Sequence, residues 1–302
     1  MRKTLSNPNA TPEAVGLYDY LRSLEGKGIL AGQQECPTPG RFGGEMRYLR
    51  AVSGKLPAIR GLDFIHNDFD GVVRRSRAWH KMGGIVSICW HWGTPPDSVG
   101  YPSSQGQIDL EEALTPGTAL HEAMLERMDE AAQALKRLQH SKIPVLWRPL
   151  HEFDGGWFWW GKGGGDAFIR LWRLMYERYT HYHGLNNLIW ILGYCGEIKE
   201  GWYPGDDCVD IVGADTYTEG AHVAMYHRLE QFFGDRFLRT YHECGPIPEP
   251  EELLEKDLRW SWFLTWHHYH IRHQNTREKV ARIYNHPYVI TLDKLPCWAQ
   301  EE

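Results

Sequence analysis

Short apolar or β-branched segments recur along the chain, and amphipathic stretches separate most of them. Eight segments have the length and composition of strands: 28–33, 56–63, 84–90, 143–149, 187–193, 209–215, 237–241 and 262–266. Helical spacing of apolar residues predicts helices at 12–25, 71–81, 118–140, 166–181, 221–232, 249–257 and 276–284. The pattern therefore predicts strands joined by crossover helices, with the helices packed outside the sheet.

This alternation of strands and helices indicates the fold class. Eight predicted strands in 302 residues fit an α/β protein built as a single (β/α)8 TIM barrel better than two doubly wound domains. No linker rich in Ser and Pro divides the sequence. We therefore expect residues 1–302 to form one catalytic barrel domain.

Polar and aromatic residues follow the end of each predicted strand. They fall at 33–35, 63–66, 90–92, 151–152, 194, 215–217, 242–243 and 266–268. In barrels of this kind the carboxyl ends of the strands carry the active site, although polar residues also follow any strand that reaches solvent. Aromatic residues make up 13% of the chain, and their combination of apolar faces and polar edges suits amphipathic ligands such as sugars.

The charge balance argues against several partner classes. The net charge of -6 gives no general reason to bind nucleic acid or an anionic membrane surface. No apolar run is long enough to span a bilayer. The six cysteines are widely spaced and include no CxxC pair, which favours free thiols.

One carboxylate stands out at the end of the fourth predicted strand. Glu152 follows His151 and precedes an aromatic, glycine-flanked loop at 153–161. Bulky apolar neighbours remove solvent from a carboxyl group and raise its pKa, which a general acid requires near neutral pH. The sequence thus predicts Glu152 as a general acid, and the alternative is a structural salt bridge with Arg148.

A second carboxylate, Glu243, ends the seventh predicted strand, nearly opposite the fourth across the barrel. Two facing carboxylates can hydrolyse a glycosidic bond with retention when they lie about 5 to 5.5 Å apart, and with inversion when the gap admits a water. The sequence does not give this distance. Charged residues also end many strands without any catalytic role.

Several motifs together resemble glycoside hydrolase family 26, whose best-known members are endo-β-1,4-mannanases. The motifs are Arg-Pro-Leu-His-Glu at 148–152, Trp-Phe-Trp-Trp-Gly at 157–161 and Glu-Cys-Gly at 243–245, together with 32–33, 90–91, 215–217 and 262–267. The resemblance covers nearly the whole chain. It implies a retaining endo-β-1,4-mannanase acting on mannan, glucomannan or galactomannan by double displacement, with Glu152 as acid/base and Glu243 as nucleophile.

The resemblance also implies roles for residues around the cleaved sugar. Tyr217 matches a tyrosine that hydrogen-bonds the nucleophile, and His151 is the histidine that precedes the acid in this family. The remaining substrate-binding positions are His91, Arg148, Trp157 and Trp266. Tryptophan faces stack on the apolar face of a pyranose. Trp159 and Trp160 are weaker candidates for substrate binding, and at least one of the four aromatic residues at 157–160 is expected to serve core packing.

Other functions remain open from the sequence. The same motifs would serve a glycosidase of mixed-linkage β-glucan or β-1,3-xylan. The sixteen histidines suggest a metal-dependent barrel hydrolase, but no HxH pair follows the first strand, so we expect neither metal nor cofactor. A carbohydrate-binding barrel without activity would not need the two carboxylates.

Loops and termini complete the expectations. The insertion at 94–117 is rich in Pro, Gly, Ser and Asp, which predicts a surface loop at the mouth of the site. The short segment 66–70 predicts an open groove and endo action on a polysaccharide. Residues 1–8 do not resemble a secretory signal. Because mannans are extracellular, we expect a secreted or periplasmic monomer, with cytoplasmic processing of imported oligosaccharides as the alternative.

Overall fold

Eight parallel strands close into a barrel in the computed structural model, which describes residues 4–96, 98–196 and 198–296. Each strand pairs with the next along the chain, and β8 pairs with β1 to complete the ring. The strands are β1 Ile29–Gln34, β2 Ile59–Asp63, β3 Ile85–Cys89, β4 Val145–Arg148, β5 Leu188–Tyr194, β6 Ile211–Thr216, β7 Leu238–Cys244 and β8 Trp262–Thr265. A two-residue strand, β9 (Val289–Ile290), also pairs with β1. The predicted (β/α)8 TIM barrel is confirmed.

Helices surround the barrel and connect its strands. Those of at least six residues are α1 Pro12–Ser23, α2 Gly44–Ser53, α3 Phe69–Lys81, α6 Ala119–His140, α7 Gly164–Glu177, α8 Val223–Phe233, α9 Pro250–Glu255 and α11 Arg277–Tyr284. A π-helical turn, Arg178–Tyr182, extends α7. The sequence did not predict α2, because its buried residues are only Glu45, Met46 and Leu49, too few to show helical periodicity.

The barrel interior changes from apolar to polar along the strands. At the amino ends of the strands, inward residues such as Leu30, Leu146 and Leu238 form a cluster with Leu17 and Leu21 of α1, which closes that end. Because side chains alternate along a strand, the same inward face continues in several strands through a small residue to a polar one. This sequence is Ile59, Gly61 and Asp63 in β2, Ile211, Gly213 and Asp215 in β6, and Leu238, Thr240 and His242 in β7.

The insertion after β3 is more ordered than expected. The prediction of a plain surface loop at 94–117 was incomplete, because it contains two single-turn helices, α4 (Tyr101–Ser104) and α5 (Leu110–Ala113). Each is too short to show a periodic pattern. The Gly100 N–H donates to the Ile65 carbonyl at 2.9 Å, which ties the insertion to the loop after β2.

The cysteines, one further helix and a search for membrane-spanning helices complete the description of the fold. Cys36, Cys89, Cys195 and Cys244 are free thiols, while Cys297 lies outside the described residues. A third short helix, α10 (Tyr269–His273), follows β8 at the rim of the barrel. Over the part of the chain that the structure describes, we find no helix with both the length and the apolarity to cross a membrane.

Candidate active site

The carboxyl ends of the strands surround a cleft of about 570 Å³. Loops after β1, β2, β3, β4, β6, β7 and β8 all contribute to its wall. The wall includes both predicted carboxylates together with His91, Tyr217 and Trp266. Residues that were not predicted to bind substrate also line it, chiefly Asp63, His66, Tyr101, Phe158, His267 and His270.

The two predicted carboxylates face each other across this cleft. Glu152, Glu243 and Asp215 each place a carboxylate oxygen within 4.8 Å of those of the other two. This spacing is well below the 6.5 to 9.5 Å, approximately, that leaves room for an attacking water in inverting glycosidases. The structure therefore gives the distance between the two carboxylates, which the sequence alone does not specify.

Glu152 lies in a tight backbone turn, which directs its side chain towards the cleft. Leu150 and Glu152 both adopt left-handed backbone conformations, with φ of 48° and 52°, which are uncommon for residues other than glycine. The Glu152 N–H donates to the Gly193 carbonyl of β5 at 3.0 Å. After the turn, Asp154 accepts hydrogen bonds from the N–H groups of Cys195 (2.9 Å) and Gly196 (2.7 Å). These hydrogen bonds hold the turn against the end of β5.

The environment of Glu152 favours its protonated form. Its side chain is nearly buried, and burial together with the charge of Glu243 raises its pKa from the ordinary value to about 7. Trp157 Nε1–H donates to Glu152 Oε2 at 2.9 Å and opposes part of this rise. The alternative of a salt bridge between Glu152 and Arg148 is wrong, because the guanidinium pairs with other carboxylates.

Glu243 accepts hydrogen bonds from two donors. Arg148 Nη2 donates to its Oε2 and the Tyr217 hydroxyl donates to its Oε1. Burial, followed by the charge of Glu243, raises the pKa of Tyr217 well above its usual value, so the phenol keeps the proton that it donates. The strand register shifts between Ala214 and Asp215 and again between Tyr241 and Cys244. Such irregularities redirect side chains and occur often beside active sites.

Two buried aspartate–histidine pairs lie beneath the carboxylates. In the first, His91 Nδ1–H donates to Asp63 Oδ2 at 2.6 Å, and His91 Nε2 lies 3.1 Å from His151 Nε2. In the second, His242 Nε2 lies 3.2 Å from Asp215 Oδ1, while the other Asp215 oxygen accepts from Arg148 Nη1 at 2.7 Å. Of the four residues in these pairs, only His91 was predicted to bind substrate. His151 and Arg148, which contact the pairs, were predicted as well.

The predicted substrate-binding residues occupy two different positions. Trp157, with 39% of its surface exposed, stands beside Glu152, and Trp266 lies on the cleft wall with its ring 5.6 Å from that of His91. Arg148 and His151 are buried behind the wall of the cleft. From these positions they contact other side chains, and they can affect a bound sugar only through those side chains. The sequence did not distinguish these positions, because wall and support residues follow the same strands.

The remaining loop aromatics serve packing, as expected for at least one of them. Trp159 and Trp160 are both fully buried, and their Nε1–H groups donate to the carbonyls of Trp92 and His151 at 2.8 Å each. Phe158 stacks on Trp160 and reaches the cleft. Of the residues that were missed, Asp63 and Asp215 had a signal, because both lie among the polar groups that follow predicted strands.

Two groups in the site contain atoms of the kind that bind metals. They are Asp63, Cys89 and His91, and the carboxylates of Glu152, Asp215 and Glu243. Asp63 and His91 already bond to each other, and burial raises the pKa of the Cys89 thiol well above its usual value, which disfavours the thiolate. Arg148 already neutralises charge in the second group. Neither group matches the closed ligand set of a structural zinc site.

A parallel barrel with two close carboxylates at the carboxyl ends of opposite strands is the architecture of barrel glycosidases. The sequence profile of glycosyl hydrolase family 26 matches residues 6–294. A mannan endo-1,4-beta-mannosidase of Thermothelomyces thermophilus is 36% identical over 320 aligned residues, which cover 99% of this chain and 64% of that protein. The chain belongs to glycosyl hydrolase family 26, and the predicted resemblance is confirmed.

Solved structures agree with this assignment. A GH26-CBM35 beta-(1,4)-mannanase of Podospora anserina superposes with a TM-score of 0.90 at 36% identity, covering 99% of this chain and 70% of that one. A beta-mannanase from a symbiotic protist of the termite Reticulitermes speratus, complexed with gluco-manno-oligosaccharide, superposes with a TM-score of 0.91 at 31% identity. That alignment covers 99% of this chain and 100% of the other. The chain spans 64% of the length of the curated relative from Thermothelomyces.

Proposed function

We propose that the protein is a retaining endo-β-1,4-mannanase that hydrolyses internal linkages of mannan, glucomannan or galactomannan. The observation that carries the proposal is the carboxylate pair, whose oxygens approach within 4.8 Å while the two groups differ in environment. Glu152 is nearly buried and favours its protonated form, whereas Glu243 receives two hydrogen bonds from Arg148 and Tyr217. Family membership and the names of the mannan-degrading relatives support the substrate class.

The first step of this mechanism forms a covalent intermediate. A Glu243 oxygen attacks the anomeric carbon, the bond from that carbon to the glycosidic oxygen breaks, and Glu152 gives its proton to the departing oxygen. The shorter sugar chain leaves as an alcohol. Glu243 is then an ester without charge, and Glu152 is a carboxylate.

The electrostatics of the pair suit the second step. The negative charge of Glu243 is the second-largest cause of the raised pKa of Glu152, after burial. Esterification removes this charge, so the pKa of Glu152 falls when the residue must become a base. Glu152 then takes a proton from water, the hydroxide oxygen attacks the anomeric carbon, and the bond to Glu243 breaks. Both carboxylates return to their starting states.

The position of the enzyme in a cell follows from its proposed substrate. Polymeric mannan is extracellular, so we place the mature protein outside the cytoplasm, acting on the polymer as a monomer. Activity in the culture medium of the source organism supports this placement. Activity confined to the cell interior contradicts it.

The first experiment measures reducing sugar released from mannan, galactomannan, glucomannan, lichenan and β-1,3-xylan. We expect the highest rates on the three β-mannans, with a rapid fall in viscosity that indicates internal cleavage. Highest activity on lichenan or on xylan would assign the site to a different polysaccharide. Release of mannobiose without loss of viscosity would instead indicate an exo enzyme.

A second experiment separates the roles of the carboxylates. On an aryl β-mannobioside, whose leaving group needs no proton, Glu152→Ala should form the intermediate quickly and hydrolyse it slowly, so a burst appears and azide speeds turnover to a β-glycosyl azide. Glu243→Ala should show neither burst nor β-azide. Glu255→Ala, at an exposed position on α9, is the matched control and should retain full activity. The opposite pattern in the two active-site variants means that the roles are exchanged.

A further inference from the structure

The inside of the barrel beneath Glu243 contains a series of polar contacts that the proposed mechanism does not use. It begins at Thr240, whose Oγ1 lies 2.7 Å from His242 Nδ1. His242 Nε2 lies 3.2 Å from Asp215 Oδ1, and Asp215 Oδ2 accepts from Arg148. Arg148 then donates to Glu243. Thr240, three positions before the nucleophile, therefore connects back to it through β7, β6 and β4.

Two glycines leave room for the imidazole ring of His242. A Cβ atom on Gly193 would lie 2.6 Å from His242 Nε2, and a Cβ atom on Gly213 would lie 2.9 Å from His242 Cε1. Real Cβ atoms do not approach other atoms so closely. Two neighbouring strands thus carry glycine at the level where the imidazole crosses the barrel, which indicates that the ring position is specified and not incidental.

The unpaired atoms of the two residues lie close to each other. His242 Nε2 and Asp215 Oδ1 are buried, and neither has a hydrogen-bond partner among the described residues. The two atoms are 3.2 Å apart, within reach of a shared proton. A buried polar atom without a partner is costly, so a single proton shared between the two atoms satisfies both.

One consistent set of hydrogen-bond directions places this proton on the carboxyl group. Thr240 Oγ1 can donate to the Val212 carbonyl at 3.4 Å while it accepts from His242 Nδ1–H. The neutral imidazole then presents the lone pair of Nε2, and Asp215 Oδ1–H donates to it. Asp215 retains its second oxygen as the acceptor for Arg148.

The surrounding charges agree with a neutral pair. Burial raises the pKa of Asp215 well above its usual value despite the nearby charge of Arg148, and burial followed by the same charge lowers the pKa of His242 well below its own. The charged groups facing the pair are Arg148, Glu152, Asp154 and Glu243. The other titratable groups nearby are His151, Cys195, Tyr217, Tyr241 and Cys244, whose shifted pKa values all favour the neutral form.

We propose that His242 is a positioning residue for the nucleophile: it orients Asp215 by one oxygen, so that the other oxygen fixes Arg148 against Glu243. This inference rests on the proposed role of Glu243 as nucleophile. Asp215 without His242 is free to rotate, and the guanidinium then loses the fixed direction in which it contacts Glu243. The expected consequence is slower formation of the glycosyl-enzyme and weaker stabilisation of the ionised nucleophile.

The test compares four variants on an aryl β-mannobioside. His242→Met removes the polar ring at similar volume, His242→Gln keeps a polar group in the niche, and Thr240→Val removes only the hydroxyl that holds Nδ1. His121→Met is the matched control, because His121 is a buried histidine whose Nδ1 bonds only the Ala113 carbonyl of α5. Circular dichroism measures the folded fraction, and rates are expressed per folded enzyme.

We expect His242→Met to lower kcat by about tenfold to a hundredfold with KM changed by less than about threefold, a range taken from other residues that orient a reacting group. The acidic limb of its pH profile should move to higher pH. His242→Gln should recover part of the rate, and Thr240→Val should show a smaller loss in the same direction. His121→Met should melt at lower temperature with unchanged kinetics.

The outcomes separate this inference from the proposed function. If the wild type cleaves β-mannan but His242→Met keeps its kcat within about twofold and its acidic limb in place, the positioning role is overturned. If His242→Met does not fold, Thr240→Val and His242→Gln decide by the same two readouts. If the wild type cleaves another glycan of the panel instead, the mannanase proposal fails and the variants are measured on that glycan.

Discussion

The two aspartate–histidine pairs contain the same residue types at comparable burial, yet they differ in charge. Burial alone would raise the pKa of Asp63, but the His91 charge and hydrogen bonds from the His91 ring and from the N–H groups of His91 and Ile65 lower it. For His91, burial alone would lower the pKa, but the charge of Asp63, its hydrogen bond and the charge of Glu243 together raise it. The shifts of the first pair therefore favour the charged forms of both residues, whereas the shifts of Asp215 and His242 favour the neutral forms.

The difference arises from the donors around each carboxylate. Asp63 Oδ1 accepts two backbone N–H groups, from Ile65 and His91, at 3.0 Å each, and these dipoles stabilise a negative charge. Asp215 receives no backbone donor in the described structure and shares Arg148 with Glu243. Its other neighbours, Glu152 and Asp154, add negative charge. Backbone donors thus add to the charge and the hydrogen bond of His91 in favouring the ionised form of Asp63.

Removal of the histidine from each pair should give the largest contrast. His91→Met leaves the Asp63 charge buried without its partner and should cost about 3 to 5 kcal/mol of unfolding free energy at pH 7. His242→Met removes a partner from a neutral pair and should cost about 1 to 2 kcal/mol. Urea denaturation of both variants and the wild type measures the difference. Equal losses would show that the two pairs carry the same charge.

The same comparison of protonation can be made for Glu152, which lines the cleft near both pairs. Because its folded pKa of about 7 exceeds the unfolded value, Glu152 is neutral in both states below about pH 4 and destabilises the fold as pH rises through 7. Glu152→Gln should therefore match the wild type in stability near pH 4. Near pH 8 it should be more stable by about 3 kcal/mol. Denaturation curves at both pH values check this, and a gain that does not depend on pH contradicts it.

Asparagine substitutions test the protonation of each aspartate directly. Asparagine mimics a neutral carboxyl, so Asp215→Asn should change stability by less than about 1 kcal/mol. Asp63→Asn loses an ion pair and should cost about 2 to 3 kcal/mol at pH 7. Because the folded pKa of Asp63 is lowered, its stabilisation is present above the unfolded pKa and is lost as pH falls. The Asp63→Asn deficit should therefore shrink in thermal melts at acid pH.

The smallest expected effect lies in the pH profile of activity. The charge of His91 lowers the pKa of Glu152. This effect is smaller than the effects of burial, Glu243, Arg148 and Trp157 on the same pKa. Asp63→Asn leaves His91 neutral near pH 7, so the alkaline limb should move upward by a few tenths of a pH unit, an effect of about 0.5 kcal/mol. Asp215→Asn should leave that limb in place, since Asp215 is neutral already. Measurement of kcat/KM from pH 5 to about 9 compares the variants, and equal shifts in both would argue against the difference between the pairs.

Much of the architecture could be predicted from the sequence. All eight barrel strands overlap their predicted segments, because parallel strands covered on both faces are nearly continuous apolar runs. Helix α6 lies within the predicted helix at 118–140, and it buries the apolar residues Met124, Met128 and Leu135. The helix α2 and the short helices of the insertion after β3 were not predicted, since their contacts come from the tertiary fold and not from a periodic pattern.

The candidate site could be predicted in part. Glu152 and Glu243 were found from their positions at strand ends, and the structure brings them together. Arg148 and His151 were assigned to substrate, but the structure buries both behind the cleft wall. Asp63 and Asp215 differ little in sequence context, and His242 looked like an ordinary residue before the nucleophile. None of their pairings follows from spacing along the chain.

The sequence by itself determined the strand order, and with it the rim at which the polar residues meet. It also determined that Glu152 has apolar neighbours along the chain. Only the tertiary structure decided that Arg148 contacts Glu243 and Asp215 and not Glu152, and that Asp63 is ionised while Asp215 is neutral. The reason is physical. Desolvation and Coulomb energies depend on distances between side chains of different strands, and the linear order of residues does not specify those distances.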